Sequence, residues 1–257
     1  MRISKPGNVQ LQKPQLLEKA KTFASYLKTL SPAQLSKTMH LSPALAKKTH
    51  EMIANWTADP KEQSLALDSF IGDIYSGLQA PTFSKSDTDY ANKTLIILSG
   101  LYGIIRPYDG IYPYRLEMGY KFPDEPFTNL YKFWDKSIVE CIPQKGMIVN
   151  LSSDEFSDTI TSFVDAERVI APKFLTVDPK TKQPKFVVIH AKITRGAFAH
   201  WLIKSRTDEV EGLKNFTDLG YAFDSKLSTP NIPVFVCKEF GGKGLSMKKK
   251  ANSKNED

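Results

Sequence analysis

Three observations predict that this chain folds as a mixed α/β protein. Apolar residues in its first third recur at helical spacing, while later segments are short, β-branched and bounded by turn residues, as strands are. Helical stretches lie between some of those strand segments. This order favours a mixed sheet surrounded by helices over a purely parallel, doubly wound sheet.

The first element is an amphipathic helix over residues 16–30, whose apolar positions follow the i, i+3, i+4, i+7 pattern behind Pro14. Ser31-Pro32 and Ser42-Pro43 then each supply a serine N-cap followed by proline at the first helical position. These pairs predict helices over 32–39 and 43–55, joined by a short turn. A further apolar stripe predicts a helix over 63–78.

The rest of the chain predicts five strands and a helix from Arg195 to Arg206. The strands cover Thr94 to Leu98, Gly146 to Leu151, Val169 to Ala171, Phe186 to His190 and Pro233 to Phe240.

The formal charge of +7 and the sequence pI near 9.2 indicate an affinity for polyanions. The last 17 residues, 241–257, carry five lysines and two acids, which leaves only +4 for the rest. We therefore expect a single domain over 1–240 and a basic, disordered tail over 241–257. No apolar leader or membrane-length apolar run is present, and the two cysteines form no pair motif, so we expect a cytoplasmic protein.

Common catalytic motifs are missing from the sequence. It contains no phosphate-binding P-loop, no dinucleotide fingerprint, no zinc-protease HExxH and no GxSxG nucleophile motif. Four histidines in spacings of ten, with Cys141 and Cys237 far apart, predict no metal site and no cofactor. An enzyme of unfamiliar type stays open.

The helical pair over 32–55 is the first candidate site. A helix–turn–helix hairpin can offer backbone N–H groups to a phosphate, and Lys37, Lys47 and Lys48 would flank that phosphate. The alternative is a plain helical hairpin with solvated lysines.

The stretch from Leu98 to Gly119 is the second candidate, with four glycines, four tyrosines and two arginines behind a strand. Arg106 and Arg115 could grip phosphate or carboxylate, and the tyrosines could stack or donate hydrogen bonds. The alternative is a structured loop packed on the core.

The segment from Lys192 to Arg206 holds four cations and no acid. On a helix that begins near Arg195, Arg195 and Arg206 border the apolar stripe, whereas Lys204 faces the opposite side. Lys192, Arg195 and Arg206 are expected to line a polyanion cleft. The alternative is that they lie over the core and pair with distant acids.

Six segments, read together, resemble the YaaA family of bacterial peroxide-stress proteins. They are Phe70 to Leu78, Leu98 to Gly119, Leu130 to Trp134, Asn150 to Glu155, Ala191 to Gly196 and Gly220 to Asp224. The resemblance implies a single-domain fold with a positively charged cleft and a helix-hairpin-helix element. It also implies binding to duplex and branched DNA with little sequence preference, and a role in limiting damage from peroxide and iron.

One departure concerns the start of the chain. Family members open with a strand running into Ser-Pro-Ala-Lys-Thr, but this chain has Ile3-Ser4-Lys5-Pro6-Gly7, so the lysine is displaced. Two functional hypotheses follow. The first is a DNA-binding protein; the second is an enzyme on a small phosphorylated or anionic substrate, with Tyr102, Tyr114, Asp73 or Asp154 as proton-transfer groups. The sequence leaves the oligomeric state undecided.

Overall fold

A computed structural model of the protein describes residues 1–3 and 9–246. Its α-helices are α1 Leu17–Thr29, α2 Pro32–Met39, α3 Pro43–Ala54, α4 Ala66–Ser69, α5 Asp73–Leu78, α6 Lys85–Thr94, α7 Leu130–Trp134, α8 Asp154–Thr161 and α9 Val188–Ser205. Its strands are β1 Ser64–Leu65, β2 Ile97–Ser99, β3 Gly103–Ile105, β4 Gly110–Ile111, β5 Ile148–Val149, β6 Val169–Ile170, β7 Lys173–Val177, β8 Pro184–Lys185, β9 Tyr221–Phe223 and β10 Val234–Cys237. The predicted mixed α/β class is confirmed.

The chain forms two compact units, each assembled from separated segments. Unit 1 comprises Met1–Phe70, Asn92–Gln144 and Ser153–Phe163. Unit 2 comprises Ile71–Ala91, Lys145–Ser152 and the described chain from Val164 onward. The expectation of one domain over 1–240 stays a prediction.

Unit 1 is mainly helical. Its predicted helices α1, α2 and α3 are confirmed, and Ser31 forms a capping box with Gln34 while the Ser42 hydroxyl accepts the N–H of Leu45. His40 takes a left-handed conformation, with φ of 52°, and ends α2. The short turn that joins α2 and α3 therefore has the serine caps that the sequence predicts.

The predicted helix over 63–78 is wrong. Residues 64–65 instead form β1, which pairs with β4, and the N–H groups of Ala66 and Leu67 donate to carbonyls of Asp109 and Pro107. Gly72 then adopts φ of 139°, which breaks any continuous helix before α5 begins. The apolar stripe of this segment is real, but it is divided between two helices.

Unit 2 contains a four-stranded sheet in the order β8-β7-β10-β9. Strands β7 and β10 are parallel, whereas the two outer pairings are antiparallel, so this is the mixed sheet that the sequence predicts. Phe174, Phe198, Phe216 and Phe235 are buried in its core, together with side chains of α9.

The predicted strand from Phe186 to His190 is wrong, because α9 begins at Val188 and β8 ends at Lys185. The run of β-branched residues suits a strand in isolation. Tertiary packing decides otherwise, since Ile189 and Ile193 contact the unit 2 core from the first turns of the helix.

The described chain extends beyond the expected domain end at residue 240. Residues 241–246 include a 3-10 turn at Lys243–Leu245, and Leu245 packs against the core cluster while Ser246 is buried. The rest of the predicted tail over 241–257, residues 247–257, lies outside the described residues, as do residues 4–8 with the departure at Lys5.

Candidate nucleic-acid interface

The helical hairpin of unit 1 exposes its lysines. Lys37, Lys47 and Lys48 are all exposed, and none of them makes an ion pair or side-chain hydrogen bond with any residue in the described ranges. Glu51 is the hairpin's acid. The opposite face of α3 is buried and includes Ala46 and Ile53. The hairpin therefore presents three lysines against one glutamate, a net positive charge.

A groove of about 930 Å³ lies beside the hairpin in unit 1. Its lining residues come from the end of α2, the loop after β4 and the first turn of α8: Gln34, Lys37, Thr38, His40, Glu117, Gly119, Tyr120, Lys121, Pro123 and Glu155. Most of these side chains are exposed, so the groove opens to solvent.

The charge in this groove is balanced. Lys37 and Lys121 line it together with Glu117 and Glu155. Glu155 also fixes the loop, because its Oε1 accepts the N–H of Gly119 at 2.9 Å. Burial, together with the carboxylates of Glu117 and Glu155, raises the pKa of Tyr120. A polyanion would meet two carboxylates inside the groove, which favours the outer face of the hairpin for phosphate contact.

The two arginines of the glycine- and tyrosine-rich loop lie in different surroundings. Arg106 is partly buried, and its backbone N–H and Nε donate to Asp109 and Gln15 at 2.8 and 3.4 Å. Arg115 is exposed beside a cavity of only about 10 Å³. That volume holds about one water molecule, so this cavity is too small for an organic ligand.

The Arg206 side chain contacts other residues of unit 2. It lies just past the end of α9 in a left-handed conformation, and its guanidinium donates to Asp87 at 2.9 Å and lies 4.3 Å from the Tyr90 ring centroid. Lys204 Nζ reaches the same carboxylate at 2.7 Å. Hydrogen bonds from Lys204 and Ser84, followed by that from Arg206, hold the pKa of Asp87 far below its usual range.

The expectation that Lys204 and Arg206 face opposite sides is therefore wrong. It assumed a helix continuing through Arg206, but the chain leaves the helix there and both cations turn to one acid. Lys192 is exposed and makes no ion pair with a described residue, and Arg195 is partly buried on α9. Of the cations predicted on α9, Lys192 is the one most available to a ligand.

The four proton-transfer candidates do not line the groove. Tyr102 is fully buried and accepts N–H groups from Trp56 and Tyr112, and burial raises its pKa to about 12. Tyr114 shares a 2.6 Å hydrogen bond with Ser99 in the core. Asp154 is exposed at the start of α8, and Asp73 begins α5 in unit 2. Tyr102 and Tyr114 are therefore core residues of unit 1.

Four lysines of one basic segment are absent from the predicted sites: Lys173, Lys180, Lys182 and Lys185. Residues 173–195 carry six lysines and arginines against the single acid Asp178. The signal was present as a run of lysines. It was overlooked because the segment was divided between a predicted strand and a predicted helix.

Known proteins place this chain in a family. A family model described as "Peroxide stress protein YaaA" matches residues 1–227. The chain belongs to the YaaA family. A UPF0246 protein of Salinispora tropica is 50% identical to it over 249 residues, covering 97% of this chain and 95% of the relative.

Two further relatives are more distant from this YaaA-family chain. UPF0246 proteins of Cellvibrio japonicus and a Marinomonas species are 37% and 36% identical to it, over 88% of this chain and 90% and 88% of their own. The predicted resemblance is confirmed, and family membership supports a role in the response to peroxide stress.

Two further features concern the described residues of this YaaA-family protein. No three His, Cys, Asp or Glu side chains among residues 1–3 and 9–246 are grouped so that they could hold a metal ion. Within the same ranges, no helix has the length and apolar character needed to cross a membrane.

Proposed function

We propose that this protein binds DNA without sequence preference as part of the peroxide-stress response, through the exposed face of the α2–α3 hairpin. The observation that carries the proposal is the set of three exposed lysines, Lys37, Lys47 and Lys48, none of which forms an ion pair with an acid of the described chain. Lysines without partners release counterions from DNA when they contact phosphate, which is the main source of non-specific affinity.

The charge distribution of unit 1 supports the same surface. The whole unit contains 16 lysines and arginines against 14 acids, and the hairpin alone accounts for three lysines against one glutamate. The net charge of unit 1 is thus no greater than that of the hairpin. Because α2 and α3 are capped by serine side chains, the hairpin is rigid enough to present its lysines in a fixed arrangement.

The alternative of an enzyme on a small anionic substrate has less support. The groove of about 930 Å³ has a suitable size for a small ligand, but it is open and its charges are balanced. The proton-transfer candidates lie elsewhere. We therefore place duplex or branched DNA, contacted through its phosphates, ahead of a small substrate.

Salt-dependent binding tests the proposal directly. Lys47→Gln with Lys48→Gln should weaken binding to a duplex of arbitrary sequence and reduce the slope of log K against log salt concentration by about 2. The measurement is fluorescence anisotropy at several salt concentrations. Circular dichroism should show unchanged helix content, because both side chains are exposed.

A charge-matched control is available in unit 1. Lys132 and Lys136 are also exposed, so Lys132→Gln with Lys136→Gln removes the same charge away from the hairpin. This control should leave the slope close to that of the wild type. Equal effects of the two double variants would refute the hairpin as the interface, and a wild-type affinity that does not change with salt would refute the function.

A further inference from the structure

The hairpin of β7 and β8, with the start of α9, forms a second positively charged surface in unit 2. We call residues 173–195 the basic ribbon. Its cations are Lys173, Lys180, Lys182, Lys185, Lys192 and Arg195, and its one acid is Asp178. The five lysines are exposed. The α2–α3 hairpin, which we propose as the DNA interface, does not include these residues.

The turn of the basic ribbon is held by its acid. Asp178 Oδ1 accepts the backbone N–H groups of Lys180 and Thr181 at 2.7 and 3.1 Å, and its other oxygen forms an ion pair with Lys185. The Lys185 ammonium, followed by these two N–H groups, lowers the pKa of Asp178 to about 2, so the carboxylate stays charged at neutral pH. The acid is therefore occupied internally and organises the turn.

Two large apolar side chains of the basic ribbon are exposed. Phe186 and Val188 are each 57% exposed. Phe186 directly follows β8, while Val188 begins α9 one helical turn before Lys192, so Val188 and Lys192 share a side of the helix. An exposed aromatic residue in the same segment as several exposed lysines is a pattern that a nucleic acid can satisfy, with phosphates on the cations and bases on the ring.

We infer that the basic ribbon binds nucleic acid, with Lys180, Lys182 and Lys192 on phosphates and Phe186 inserted against unstacked bases. Apolar side chains inserted between bases are a known means of unstacking a base step. The inference rests on the proposed function and deepens it. It makes distorted, mismatched or single-stranded DNA the favoured substrate, because unstacking is least costly there.

An anionic membrane surface is the competing partner for such a patch. Stable attachment to a bilayer needs more buried apolar surface than one phenylalanine and one valine supply, since even a single myristoyl chain binds only marginally. Stacking on bases needs just one ring per base. The small apolar area therefore favours nucleic acid.

The test uses the full chain and a duplex carrying 2-aminopurine next to a mismatch. Wild-type protein should raise the fluorescence of the probe as the base unstacks. Phe186→Ala should abolish that rise and weaken binding about fivefold to a hundredfold, the range expected for losing one base–aromatic stack. The fold should survive, since the side chain is exposed.

Unit 2 supplies closely matched controls. Lys226 and Leu227 are also an exposed lysine and an exposed apolar residue in a turn held by an aspartate, with Asp224 Oδ1 accepting both N–H groups at 2.9 and 3.1 Å. Leu227→Ala should retain the fluorescence rise. Lys180→Ala should reduce the salt slope by about 0.9, whereas Lys226→Ala should leave it unchanged.

Each outcome separates the inference from the proposed function. If Phe186→Ala and Leu227→Ala both behave like wild type while DNA is still bound, the inference is overturned and the proposed function stands. If the wild type binds none of the DNA substrates, both are overturned. If Phe186→Ala removes binding to phosphatidylserine vesicles but leaves DNA binding intact, the surface belongs to a membrane and the inference is overturned.

Discussion

Two glycines, Gly77 and Gly196, allow helices α5 and α9 of unit 2 to pack closely, and replacing Gly196 with alanine should destabilise the protein strongly. A Cβ atom at Gly196 would lie 1.8 Å from the carbonyl oxygen of Ile74 in α5, and one at Gly77 would lie 1.9 Å from that of Ile193 in α9. Both obstacles are backbone atoms. They cannot be relieved by a rotamer change.

The size of the effect follows from the geometry. An ordinary contact between such atoms is about 3.4 Å, so α5 and α9 would have to move apart by roughly 1.6 Å. Alanine gains about 1 kcal/mol of helix propensity, but overpacking in a dense core costs about 1–3 kcal/mol or more, and here the backbone itself must shift. We expect a net loss of about 3 kcal/mol in the free energy of unfolding.

Thermal and urea unfolding followed by circular dichroism measure this change. For a chain of this size, about 3 kcal/mol lowers Tm by roughly 6–12 °C. Gly244→Ala is the matched control in the same unit, because no atom lies within 4 Å of an added Cβ there. A Gly196→Ala variant as stable as Gly244→Ala would refute the close-packing argument.

Three further changes test other features. Burial raises the pKa of Asp109 to about 6, above its usual value of 3.8, so ionising this side chain opposes folding. The free energy of unfolding should therefore fall by about 2 kcal/mol as pH rises from 4 to 7, and Asp109→Asn should flatten that slope in urea titrations at each pH. Ser31→Ala should cost about 1 kcal/mol in urea unfolding, because it removes the capping box of α2; a change below about 0.3 kcal/mol would contradict this role. Arg206→Ala should lower Tm while leaving the salt slope of DNA binding unchanged, since its guanidinium is held by Asp87; a reduced slope would return Arg206 to the interface.

The sequence predicted unit 1 better than unit 2 for a local reason. Helices α1 to α3 carry their own signals, with a regular apolar stripe and two serine–proline starts, and their bounds agree closely with prediction. The start of α9 carries the opposite local signal, a β-branched run from Val187 to Ile189. Only contacts with distant residues of the unit 2 core make it helical, and such contacts cannot be seen in a window of neighbouring residues.

The cations show why a site is harder to predict than a helix. The segment from Lys192 to Arg206 contains no acid, yet Lys204 and Arg206 both pair with Asp87, which precedes them by 117 and 119 residues. Lys37, Lys47 and Lys48 have an acid in their own segment but pair with none in the described chain. Distance along the sequence therefore says little about which charges are available. The fold decides which cations are available to a ligand. For this reason we assign DNA binding to the lysines of the hairpin and the basic ribbon, and not to the arginine at the end of α9.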